Sequence, residues 1–359
     1  MTERKAVKRK ALKITAVVTL AVLLLCMGML AATKFIYDAI FPRYDRSPLE
    51  TAINISYAEI MDKYPREKIK FMSGDNELTG YIYSKANPSG LVVIAPGLSD
   101  GGEDYTSLAM EFADLGYSVF TFDTTGSFES EGEKSVGFSQ IVFDLDNALK
   151  YIEADPELKS LPLYLFGHSR GGYASAMMCK SDHDIKAIAT VGAVNSPMEI
   201  TMEWSTNYVG AFAYTGYPAL YAYQAMVFGG DIMSTTGAEA IDQGSIPALV
   251  IHCENDVTVS IDGSSIYAHK DEVENEKAKF MLYENMDNAG HTTLLFTKEA
   301  NDYREQIHDD YEHLETLYNG EIPKEIEAEF LDGIDSMKAQ EVNKELINII
   351  CQFYADKQV

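Results

Sequence analysis

The 359-residue chain is 46% hydrophobic and 23% charged, enough to bury the core of one large α/β domain or two small ones. Its formal charge of −26 hides a split: Arg4, Lys5, Lys8, Arg9, Lys10 and Lys13 against Glu3 give residues 1–13 a local +5 and leave −31 on the remainder. A body that acidic argues against nucleic acid, or a flat anionic lipid surface, as a partner. The four cysteines, of which Cys26 lies in an apolar run, are too few for a disulfide framework.

Residues 14–33 are uncharged and mostly apolar. At about 1.5 Å rise per residue, such a run spans roughly the 30 Å hydrocarbon layer. It predicts a transmembrane anchor, so that residues 1–33 are a basic N-terminus followed by a membrane helix. The basic cluster before it favours a cytoplasmic N-terminus and an extracellular body in the cell membrane. The competing reading is a signal peptide cleaved after Ala31-Ala32 and a secreted body. Against it stand the length of the run and the bulky Leu30 two residues before Ala32.

Residues 34–66 read as a juxtamembrane connector. Within it Ser47-Pro48-Leu49-Glu50 starts a helix, with Ser47 as N-cap, Pro48 in the first turn and Glu50 placed to reach back. That helix is expected to run to about Pro65.

From residue 67 to 359 the pattern is that of one α/β domain. Strands are predicted at 69–72, 78–83, 91–95 and 118–122, with helices at 105–115 and 139–154. Strands at 161–166, 185–191, 248–253 and 280–283 follow. Strands alternating with helices imply βαβ units, a mainly parallel sheet and helices on both its faces. The loop after residue 95, Pro96-Gly97-Leu98-Ser99-Asp100-Gly101-Gly102, is rich enough in glycine for backbone to approach a ligand closely.

The chemistry concentrates at Gly167-His168-Ser169-Arg170-Gly171-Gly172, between the strand at 161–166 and a helix beginning near Tyr173. In G-x-S-x-G a nucleophilic serine occupies a strained strand-to-helix turn that closes only where the flanking residues lack side chains. The helix behind it offers N–H groups and a partial positive charge to a developing oxyanion.

With these residues in view, the chain resembles the α/β-hydrolases, and within them the bacterial branch of serine-aminopeptidase-like hydrolases, monoacylglycerol lipases, lysophospholipases and cinnamoyl esterases. The matching pieces are Ala95-Pro96-Gly97-Leu98, Asp123-Thr124-Thr125-Gly126 with Ser130 and Gly132, the Ser169 elbow, the stretch from Ile251 to Val259, and Asn288-Ala289-Gly290-His291. The resemblance covers roughly residues 67–292 and the last helix, and it implies an α/β-hydrolase fold with a helical lid. Two departures concern loop shape: Pro96 stands where many relatives have histidine, and Phe128 where a second glycine is common.

Ser169 needs a base. Of the seven histidines, His168 adjoins the serine and is expected to point away from it, and His252 lies in an apolar strand and reads as core. His291 follows the last strand on a loop at the same sheet edge as Ser169. Asp256 stands just past the end of strand 248–253, where its carboxylate can accept the His291 N–H, fix the tautomer and stabilise the imidazolium. Glu254 and Asp262 are the alternatives; the order Ser, Asp, His favours Asp256. The resemblance further implies an oxyanion hole formed by the backbone N–H groups of Leu98 and Arg170.

Residues 196–245 hold Trp204, Tyr208, Phe212, Tyr214, Tyr217, Tyr221, Tyr223 and Phe228, an aromatic segment placed where relatives carry the lid. Tyr214, Tyr217 and Tyr221, at helical spacing, are expected to pack within it. Residues 293–340 read as a helical insertion with the stripe Ala300, Tyr303, Ile307, Tyr311, Leu314 and Tyr318, ended by Asn319-Gly320. His308 and His313 are five apart and off a common helical face, so no metal site is expected, and the proposed chemistry requires no cofactor.

These features predict a membrane-anchored serine hydrolase acting on a carboxylic ester of modest size, such as an acylglycerol, a lysolipid or an acylated glycan. The alternatives are an exo-peptidase and a non-catalytic protein that keeps the fold to bind a ligand.

Overall fold

Strands covered on both faces favour apolar side chains at every position; Leu91–Ala95 has them without interruption, while Ser118–Phe122 also carries Ser118 and Thr121 and Ile185–Val191 carries Lys186 and Thr190. The computed structural model describes residues 2–84, 86, 88–284 and 290–357. Among them eight strands form one sheet: β1 (Arg66–Ser73), β2 (Asn76–Tyr83), β3 (Leu91–Ala95), β4 (Ser118–Phe122), β5 (Leu163–His168), β6 (Ile185–Val191), β7 (Ala248–Cys253) and β8 (Ala278–Tyr283). Their order is β1-β2-β4-β3-β5-β6-β7-β8. β1 pairs antiparallel with β2 and β2 antiparallel with β4; from β4 to β8 every pairing is parallel. The carboxyl ends of β3 to β8 therefore share one edge, where ligands sit in open α/β sheets.

Alternating strand residues feed two cores. On one face Val93, Leu165 and Ile188 meet Ile141, Leu145 and Leu149 of helix Gln140–Ala154. On the other, Val92, Ile94 and Phe166 meet Leu108 and Phe112 of helix Thr106–Asp114 and Ile350 and Tyr354 of the final helix, Lys344–Ala355. The Tyr354 hydroxyl donates to the Leu165 carbonyl at 2.6 Å, which fixes that helix across the central strand.

The first helix, Thr2–Ile40, contains the one segment among the described residues long and apolar enough to cross a membrane, Lys10–Ile40, within which an 18-residue window has a mean hydropathy of 2.6. It does not stop where the apolar run does. Its last turns carry Tyr37, which with Phe41 just beyond the helix end is buried against the body. The Phe41 ring lies 5.6 Å from Phe138, and Tyr37 lies 5.3 Å from Tyr223 of the lid.

The helix expected from Ser47 to about Pro65 is broken. The capping box forms as the residues demand, Glu50 N–H donating to Ser47 Oγ at 3.1 Å and Ser47 N–H to the Glu50 carboxylate at 2.8 Å. The helix nevertheless ends at Ile53, and a single further turn covers Tyr57–Ile60. Asn54 stops it: its side chain donates to Asp104 and accepts from Gln340 at 2.8 Å, partners distant in sequence that a continuing helix could not reach.

Residues 293–340 contain helices Lys298–Leu317, Lys324–Asp332 and Ser336–Ala339. Asn319 (φ 51°) and Gly320 (φ 82°) follow the first in the left-handed conformation that ends helices. Ile307 and Ala339 pack on Leu49 and Ile53, and Gln340 also accepts from Ser107 at 3.3 Å. The insertion is a clasp that holds the N-terminal connector against the body.

After β6 the chain leaves the sheet for helices Pro197–Val209, Tyr217–Phe228, Gly230–Ser234 and Gly237–Gln243 before returning as β7. The expected packing is found only between Tyr217 and Tyr221, whose rings stack 6.4 Å apart while remaining 39% and 37% exposed; Tyr214 is 62% exposed. Helix Tyr217–Phe228 is apolar around its whole circumference, so spacing alone could not say which side meets the protein.

Candidate active site

Ser169 sits between β5 and helix Arg170–Met177 with φ 55° and ψ −119°, a left-handed backbone rarely tolerated by a residue with a side chain. The turn is held by Ser169 N–H donating to Val191 O at 2.9 Å and Val194 N–H donating to Ser169 O at 3.3 Å. A Cβ at Gly171 would strike the Ala95 carbonyl, and one at Gly167 would strike the Gly171 carbonyl. The close approach of the elbow helix to the end of β3 thus explains Gly171, and its close return over the end of β5 explains Gly167.

A cavity of about 270 Å³ opens above the elbow, and Leu98, Ser169 and His291 line it together. His291 Nδ1 lies 2.7 Å from Asp256 Oδ2, leaving Nε2 for the cavity side. Asp256 Oδ1 accepts from the Thr258 and Val259 N–H groups, both at 2.9 Å. Burial opposes its charge, yet the His291 hydrogen bond, the charge of that ring and the Val259 N–H hold the carboxyl below the usual range. Glu254 and Asp262 are exposed. Asn288 and Ala289, quoted in the motif that ends at His291, lie outside the described residues.

His168 does not point away from the site. Its ring centroid is 4.9 Å from that of His291, and its Nε2 is 3.1 Å from the His291 carbonyl. Burial first, then the neighbouring His291 charge, push its pKa down to about 3. His168 is therefore neutral, and because a carbonyl only accepts, Nε2 carries the proton. Its Nδ1 lies 2.9 Å from the Tyr105 hydroxyl, which also accepts from Gly97 N–H at 2.9 Å and lies 2.9 Å from Asp100 Oδ2. One tyrosine thus ties the loop of Leu98 to the histidine that props the His291 backbone. Sequence reasoning missed Tyr105; its only trace was its place three residues past the end of the glycine-rich loop.

His252 is buried as expected, donating from Nε2 to Val259 O at 3.1 Å, but it also faces Asp256 Oδ2 at 3.6 Å. Burial lowers its pKa. The Arg170 N–H opens its helix, where no preceding turn supplies an acceptor. The Arg170 side chain lies beneath the site, fully buried, donating to Thr124 Oγ1 at 2.9 Å, Gly137 O at 3.2 Å and Ser135 Oγ at 3.3 Å. It braces the loop after β4, in which Phe128 adopts φ 47° where a glycine would be unstrained.

Lid helix Pro197–Val209 is fastened to the Asp256 loop. Glu203 accepts from the N–H groups of Ser260 at 3.1 Å and Ser264 at 2.8 Å, and Trp204 Nε1 donates to Thr258 O at 3.0 Å. Trp204 and Phe138, 5.5 Å apart, form an apolar wall of the Ser169 cavity.

The sheet order, the elbow at the end of β5 and the helical excursion between β6 and β7 define an α/β-hydrolase fold. A family model described as serine aminopeptidase, S33, matches residues 86–229. Monoglyceride lipase of Rattus norvegicus is 28% identical over 134 residues, 36% of this chain and 41% of the lipase, so the match spans about two fifths of that relative's length. The solved structure of the Pyrococcus furiosus esterase Pf2001 superposes with a TM-score of 0.53 at 14% identity, covering 75% of this chain and 95% of the esterase. At that identity the likeness concerns the fold.

Proposed function

We propose that the protein is a membrane-anchored serine hydrolase that cleaves a carboxylic ester through an acyl-enzyme. The observation that carries this reading is the left-handed Ser169, opening on the same cavity as a histidine whose far nitrogen is 2.7 Å from a buried carboxylate. Ser169 Oγ attacks the carbonyl carbon while His291 Nε2 takes its proton. Asp256 orients the ring and stabilises its charge. The N–H groups of Leu98 and Arg170 hold the oxyanion, an arrangement in which each donor contributes about a hundredfold to a thousandfold in rate. Collapse of the tetrahedral intermediate breaks the carbon–oxygen bond, and His291 returns the proton to the departing alcohol. Water then repeats the sequence on the acyl-serine, releasing the acid and restoring Ser169.

The test is a fluorophosphonate probe, which labels wild type and not Ser169→Ala; a folded wild type that takes no label refutes the reading in favour of a ligand-binding role. The relatives named lipase and esterase support an ester substrate. A second reading, cleavage of an amino-terminal peptide bond, draws on the family description and on Asp100, which lines the catalytic cavity and could face a substrate ammonium. Comparing p-nitrophenyl acyl esters with aminoacyl anilides separates the two: preference for the anilides replaces the ester reading.

The N-terminal helix is retained as the anchor in this reading, with the body outside the cell. Protease added to sealed cells should digest the body; a protected body contradicts that orientation, and a body recovered without residues 1–32 contradicts the anchor.

A further inference from the structure

An apolar groove of about 710 Å³ runs between the last turns of the N-terminal helix and the lid. Ile36, Ile40 and Phe41 form one wall and Trp204, Phe212 and Leu220 the other; among the described residues that line it none is charged. Its volume lies within the roughly 300–1,000 Å³ of pockets that hold small molecules. Trp204 belongs to both the groove and the catalytic cavity, so the two spaces share a single indole as their boundary. Behind it the rings of Tyr37, Phe41, Phe138 and Trp204 succeed one another at 4.6, 5.6 and 5.5 Å, an unbroken aromatic path from the helix to the edge of the Ser169 cavity.

The surroundings identify the occupant. One wall continues directly into the helix long and apolar enough to cross a bilayer. The lid beside it exposes Tyr208 at 89%, Phe212 at 74% and Met226 at 75%, a patch that water disfavours and hydrocarbon accepts. An uncharged groove on a protein of charge −26 offers nothing to a peptide's charges or a polar headgroup.

We infer that this groove takes the acyl chain of a lipid ester from the same bilayer that holds the helix and leads it past Trp204 to Ser169, so that the N-terminal helix is a wall of the substrate site as well as a tether. The inference rests on the ester reading above and names its substrate class as long-chain acyl lipids. The head of the lipid stays at the sheet edge, while the chain never leaves an apolar environment. The indole is held in place by its hydrogen bond to Thr258 O, on the loop that also carries Asp256.

Full-length protein in phosphatidylcholine vesicles tests this with p-nitrophenyl butyrate and p-nitrophenyl palmitate. Ala213→Phe and Thr33→Phe each place a ring in the groove. Each is expected to lower kcat/KM for the palmitate at least tenfold and leave the butyrate value within twofold. Equal effects on both esters, or none on the palmitate, overturn the inference while leaving the ester reading intact. Trp204 is the only tryptophan, which allows a measurement that needs neither variant nor turnover. In Ser169→Ala a brominated fatty acid should quench its fluorescence saturably, and the unbrominated acid should relieve the quenching. Absence of relievable quenching overturns the groove assignment; quenching in a protein inactive on every ester supports the groove and refutes the ester reading alone.

Discussion

Replacing Asp256 with asparagine tests the site where its geometry is most demanding. The side chain cannot choose its orientation, because the Oδ1 position accepts from two backbone N–H groups at 2.9 Å and must remain an acceptor. The amide nitrogen of Asp256→Asn is thereby forced into the Oδ2 position, 2.7 Å from His291 Nδ1. A donor there makes Nδ1 an acceptor and moves the imidazole proton to Nε2, the atom that must take the proton of Ser169. The wrong tautomer of a serine triad costs about 10⁴ in kcat. That is about 5.4 kcal/mol of barrier at 1.36 kcal/mol per decade. Steady-state hydrolysis of p-nitrophenyl butyrate measures it, with a thermal melt to establish that the variant is folded. Fluorophosphonate labelling of Ser169 should slow in parallel, since it uses the same base. A folded Asp256→Asn protein that keeps more than a tenth of wild-type kcat refutes the assignment of Asp256 and the tautomer argument together.

Ser169→Gly should abolish turnover yet raise the melting temperature by roughly 1–3 °C, because glycine relieves the positive φ, a strain of about 1–3 kcal/mol; an unchanged or lower melting temperature contradicts the strain. Tyr105→Phe removes the acceptor of the buried Gly97 N–H and the partner of His168 Nδ1, and should lower kcat about tenfold with KM little changed, measured on the same ester. Burial raises the pKa of Asp123 to about 6 although Gly102 N–H donates to it at 2.8 Å. A carboxyl with a raised folded pKa makes the folded state hold its proton more tightly, so stability falls as pH rises from about 4 through 6. Asp123→Asn should flatten that fall in urea denaturation curves at pH 4.5 and 7, and an unchanged slope contradicts the shift.

What could be read in advance was whatever sterics or covalent order dictate locally. Gly167 is forced by the helix that turns back over it and Gly171 by the end of β3, so their spacing announced the elbow without a structure. The central strands, buried on both faces, announced themselves as continuous apolar runs. What could not be read depended on neighbours far away in the chain. Asn54 ends its helix because Asp104 and Gln340 lie within reach only after folding. His168 meets His291 for the same reason, 123 residues apart. The exposure of Tyr214, Tyr217 and Tyr221 was illegible because a helix apolar all round gives no sign of which side is covered. The groove at Trp204 needs two segments that the sequence separates by some 160 residues, and neither alone suggests a cavity.

The fastening of Glu203 and Trp204 to the loop 256–264 has a mechanical consequence. The first lid helix cannot swing outward without dragging the Asp256 carboxylate that holds the His291 imidazole, so it is part of the chassis and not of the door. Beyond it, Gly210 and Gly229 both have positive φ, and nothing would obstruct a Cβ at either. Residues 210–229 pack instead on the N-terminal helix, with Tyr223 5.3 Å from Tyr37.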